Sequence, residues 1–91
     1  MDKVIEAATK LSTAIEELPE VQEYLRLKSL LEQNEELKEM RTNIARLTNE
    51  GKLEERDNLI KIYNSNPLVS NFEISRKEVE QILLQVKNIL D

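Results

Sequence analysis

The stretch that most constrains this chain runs from Pro19 to about Asn49. One of only two prolines opens it, and the only glycine, Gly51, stands just past its end. Between them apolar residues recur at Val21, Tyr24, Leu27, Leu31, Leu37, Met40, Ile44 and Leu47, a spacing that follows a helical period and excludes strand alternation. A single helix over 19–49 would be on the order of 45 Å long, more than the diameter of a small domain. The other segments are therefore expected to pack along it.

They too read as helices. Val4, Ala8, Leu11, Ile15 and Leu18 form an apolar stripe in the first segment, with Asp2 as a candidate N-cap. Pro19 then ends that helix, because the residue before a proline is pushed out of the α region while proline itself suits a first helical turn. At the far end of the long segment Gly51 is placed to supply a left-handed C′ residue. A third helix with Leu53, Leu59, Ile60, Ile62 and Tyr63 is broken by Ser65-Asn66-Pro67. The last segment carries Phe72, Val79, Ile82, Leu83, Val86, Ile89 and Leu90. Its start is open between a cap at Asn66 with Pro67 in the first turn and capping-box spacings that begin at Ser70 or Ser75.

These signals predict an all-α chain, a single helical domain over 1-91 with helices at about 2-18, 19-49, 52-64 and 67-90. The order short, long, short, medium describes a bundle or hairpin. A domain of 91 residues buries only roughly 60 to 65% of its unfolded surface, so homodimerisation is expected to complete the core. Leu30, Asn34, Leu37, Arg41 and Ile44 mark the candidate interface on the long helix. Asn34 and Arg41 interrupt that seam, either at its solvent edge or, for Asn34, as a buried pair across a two-fold axis that sets register.

One pattern occurs twice. Pro19, Val21 and Tyr24, and again Pro67, Val69 and Phe72, have the form Pro-x-Val-x-x-aromatic, each opening a helix. Internal duplication and a shared mechanical device both account for it. In the second reading Pro sets the turn while Val and the aromatic point into one crevice. The three aromatics, Tyr24, Tyr63 and Phe72, all lie on apolar stripes, which makes them core residues or partner anchors.

Charge and composition narrow the chemistry. Net charge is −5, and acids crowd at Glu16, Glu17, Glu20 and Glu23 and again at Glu32, Glu35, Glu36 and Glu39. Direct nucleic-acid binding, which needs a basic face to displace counterions, is disfavoured. Its candidate residues would be Arg26, Lys28, Lys38, Arg41, Arg46 and Lys52. The chain has no Cys and no His, which removes thiolate nucleophiles, imidazole bases and the usual zinc and iron–sulfur ligand sets. The serines lack a His partner and a Gly-rich elbow, and one glycine cannot build a phosphate-cradling loop. No cofactor, metal or catalytic residue is expected, and the absence of a signal segment or long apolar run makes a cytoplasmic location the default.

Asn66-Pro67-Leu68-Val69-Ser70-Asn71-Phe72, preceded by Pro19-Glu20-Val21-Gln22-Glu23-Tyr24, resembles the YlbF/YmcA family of small helical bacterial proteins, including its YheA-like members. The resemblance runs over nearly the whole chain. It implies an all-helical, dimer-forming, non-catalytic regulator, similar to proteins that act in competence, sporulation, biofilm formation and RNA processing. Relatives whose complexes hold iron–sulfur clusters do so through Cys, and this chain departs from them there.

Overall fold

The computed structural model describes residues 2–90, which form five helices and no strand. Helix α1 spans Asp2–Glu16, α2 Pro19–Gln33, α3 Glu35–Asn49, α4 Leu53–Ser65 and α5 Pro67–Leu90. Pairings across the molecule nest about the α3–α4 turn: Tyr24 stacks on Phe72, and Arg41 hydrogen-bonds Tyr63. The architecture is thus a long antiparallel hairpin with extents of 53 × 24 × 20 Å, in which α2 and α3 form one arm and α4 and α5 the other.

The expected helix over 19–49 is two helices, and this corrects the four-helix count to five. Asn34 adopts an extended backbone (φ −78°, ψ 107°), and its Oδ1 accepts the Leu37 N–H at 3.0 Å. Asparagine competes for backbone groups in this way, which is why it favours caps over helix interiors. Glu35 and Glu36 then lie in the first turn of α3, where the positive end of the helix dipole favours carboxylates.

The other junctions follow their residues closely. Helix α1 ends at Glu16, two residues short of the expected bound, and Asp2 is its first described helical residue. The corner is held by Gln22, whose backbone N–H bonds the Leu18 carbonyl at 3.0 Å and whose side chain donates to the Glu16 carbonyl. Gly51 takes φ +73°, with Gly51 N–H bonded to the Thr48 carbonyl and Lys52 N–H to the Leu47 carbonyl at 2.9 Å. That pair of bonds is a Schellman C-cap. At the last junction the first alternative holds. Asn66 is extended, its Oδ1 accepts the Leu68 N–H at 2.8 Å, and Pro67 opens α5. Ser70 and Ser75 lie inside that helix.

Buried apolar residues are Val21, Leu27, Leu37, Leu47 and Val69, with Leu37 wholly inaccessible. Both repeated motifs place their valine in this core. Their aromatics meet each other, Tyr24 and Phe72 stacking with ring centroids 5.4 Å apart, a contact worth about 1 kcal/mol beyond its burial.

Candidate interaction surface

Along the two-helix arm, the five seam residues separate into different environments. Leu37 is fully enclosed within the chain, and Ile44 is half-buried. Arg41, also half-buried, extends its guanidinium Nη1 across to α4, donating to the Tyr63 hydroxyl at 3.1 Å. Asn34 is occupied as the α3 cap, while Leu30 faces outward with 42% of its surface exposed. The structure therefore brings Leu37, Arg41 and Ile44 to the α3 face and leaves Leu30 apart from them.

The charged faces are locally neutralised. Arg26 makes a two-point contact with Glu23, and its hydrogen bond holds the Glu23 carboxyl below the usual carboxylate range. Glu50 is lowered in the same way by Arg46, and to a smaller extent by Lys52. Arg76 bridges Glu73 and Glu80 along α5, and the hydrogen bond it donates to the Glu73 carboxylate raises the guanidinium pKa above its ordinary value. The pairs Arg26–Glu23, Arg46–Glu50, Arg76–Glu73 and Arg76–Glu80 have i,i+3 or i,i+4 spacing on their helices, where solvent screening keeps such contacts modest. Among the described residues no group of three or more acidic side chains is arranged to hold a metal ion.

Ser75 stands apart because it is buried in α5 and its hydroxyl has no hydrogen-bond partner among the described residues. It borders a small polar depression of about 230 Å³ with Glu23, Arg26 and Leu27 from α2 and Asn71, Ile74 and Glu78 from α5. A small side chain at this helix pairing lets the backbones approach, which accounts for the position without a ligand.

An open apolar surface lies at the end of the hairpin away from Gly51. Helix α1 buries none of its residues, and only Ile15 is half-buried. Its backbone comes within 8 Å of α2 and of no other helix. Opposite it, α5 continues past the start of α2, because α5 has 24 residues and α2 has 15. The difference corresponds to an overhang of roughly 13 Å. Between α1 and this overhang runs a crevice of about 360 Å³ lined by Ala8, Leu11, Ser12, Ile15, Glu16 and Leu83. Val4, Ile89 and Leu90 extend the apolar surface beyond it, each at least 70% exposed. Sequence reasoning placed these stripes but not their exposure, because the overhang of α5 follows only once Asn34 divides 19–49 into two helices.

No helix among the described residues is long and apolar enough to cross a membrane. Comparison with characterised proteins and with solved structures returned no match. A family model described as control of competence regulator ComK, YlbF/YmcA, matches residues 4–91. That span runs from the third residue of α1 through the overhang of α5, and the chain belongs to the YlbF/YmcA family, a regulatory family linked to control of the competence regulator ComK.

Proposed function

We propose that this protein is a non-catalytic helical adaptor that regulates by protein–protein interaction and self-associates as a homodimer or higher oligomer in the cytoplasm. The observation that carries the reading is the open apolar end of the hairpin, where α1 and the overhang of α5 expose large aliphatic side chains. Monomeric soluble proteins rarely expose contiguous apolar patches of more than a few hundred Å², and larger ones mark interaction sites. The family's regulatory role supports the same reading. The rest of the surface, acidic and laced with ion pairs, suits a solvated face that confers solubility and steers partners by charge.

A nucleic-acid role has less support. Of its six candidate residues, Arg26, Arg46 and Lys52 are paired with carboxylates and Arg41 with Tyr63. The test of the adaptor reading has two parts. Light scattering at micromolar concentration should give a mass at or above that of a dimer. Affinity capture from the source cell, followed by identification of bound proteins, should return a reproducible protein partner. A strictly monomeric mass would remove the self-association, and binding to mixed RNA that weakens with salt, without a protein partner, would replace the adaptor reading.

A further inference from the structure

Among the described residues the amphipathic α1 is covered only along Ile15, and its other apolar side chains stay exposed. A 15-residue helix in isolation is marginal in water, and in proteins such helices are held by burial of their apolar face, which α1 lacks. The same chain also carries an unfilled receptor, the crevice between α1 and Leu83. Helix and crevice lie side by side, the arrangement a two-fold interface requires, since each copy must present both halves of a self-complementary patch.

Area and charge both favour a second copy as the occupant. The exposed surface of Val4, Ile5, Leu11, Leu83, Ile89 and Leu90 amounts to on the order of 600 Å². With a polar rim this approaches the ~800 Å² per partner of a stable interface. The charge is distributed so that like can meet like. Residues 2–16, which include Glu16 of the crevice, hold three acids and two bases, and residues 81–90 hold only Lys87. Residues 17–80 hold fourteen acids against ten bases, nearly all of the net charge of −5. Two copies approaching through α2 and α3 would oppose their acidic faces, whereas the open end is close to neutral.

We propose that this end is the self-docking surface: α1 of each copy seats in the crevice between α1 and the end of α5 in the other, closing an intermolecular bundle of four helices. The inference rests on the self-association proposed above and assigns it to a face.

The test measures mass by light scattering for wild type, for Leu11→Glu combined with Leu83→Glu, and for Leu30→Glu as a control elsewhere on the surface. Hydrogen exchange of α1 in the wild type is followed on dilution. The expected result is an oligomeric wild type and control, a monomeric double variant that keeps its helical circular dichroism, and α1 amides that lose protection at least tenfold as the wild type dissociates. A wild type that is oligomeric while the double variant keeps the same mass would overturn the face assignment and leave self-association standing. Protection of α1 that is independent of concentration in an oligomeric wild type would do the same. A monomeric wild type overturns both, and leaves the crevice to a different protein.

Discussion

Replacing Asn34 by Ala tests whether the long arm is truly two helices. The substitution removes the Oδ1 that accepts the Leu37 N–H at 3.0 Å. Loss of an N-cap costs about 1 kcal/mol on average. Here Leu37 has no exposed surface, so water cannot take over as acceptor, and an unsatisfied buried N–H raises the expected cost to about 2 kcal/mol. For a chain of this length a loss of that size lowers Tm by roughly 8 to 12 °C. Asn34→Asp, which keeps an acceptor, should stay within about 0.5 kcal/mol of wild type. The assay is thermal or urea unfolding at one fixed protein concentration, because self-association makes stability depend on concentration. The two readings predict opposite signs. If the arm were one continuous helix, Ala would improve it, and a variant that melts at or above wild type refutes the capped break.

The remaining predictions concern positions of contrasting burial. Leu37→Ala should cost about 2–5 kcal/mol by opening a cavity in a fully enclosed site, and Leu30→Ala, at an outward position, should cost under about 1 kcal/mol; urea unfolding that reverses this order would contradict the separation of the two residues. Gly51→Ala meets no atom within 4 Å of the added Cβ, but φ is +73°, so the cost should be purely conformational, about 1–2 kcal/mol, with Asn tolerated better than Ala. Ser75→Ala removes a buried hydroxyl that has no partner and should leave stability unchanged or raise it by up to about 1 kcal/mol; a loss larger than that would reveal a hydrogen bond the hydroxyl makes in solution.

Much of this fold is legible from punctuation. Pro19, Gly51 and Asn66-Pro67 each act through their own backbone restrictions, so the corners they mark lie within two residues of expectation. In the repeated Pro-x-Val-x-x-aromatic pattern Val21 and Val69 are buried and Tyr24 stacks on Phe72. Asn34 escapes this reading because it has no such restriction: in an otherwise continuous charged and apolar pattern it passes for an interrupted seam position, and Leu37 at N3 hides the Glu or Gln that would have completed a capping box. The candidate surface was less legible still. An apolar stripe records that a helix needs a partner, not which one, so α1 reads identically whether it packs on its own chain or on another.

The phase of those stripes supplies the physical reason for the break. At about 100° per residue, the apolar positions 21, 24, 27 and 31 lie roughly 170° around a continuous helix from 37, 40, 44 and 47. One unbroken helix would therefore turn half of its apolar surface away from any single antiparallel partner. The other arm has the same discontinuity. Its half-buried positions 56, 59, 60 and 63 lie roughly 170° from 69, 72, 75, 76 and 79, the inner face of α5. Asn34 and Asn66 stand sixteen residues either side of Glu50, at one level of the hairpin. Both are extended, and both cap the helix that follows. The half-turn skipped in one arm is thus matched by a half-turn skipped in the other. Leu30 is a heptad from Leu37 but lies on the far side of the break, where the face turned into the hairpin is the one through Leu27 and Leu31. The two breaks are consequently interdependent. Straightening either arm alone would set its inner stripe against a partner facing the opposite way, so the two asparagines act as one structural element although 32 residues separate them.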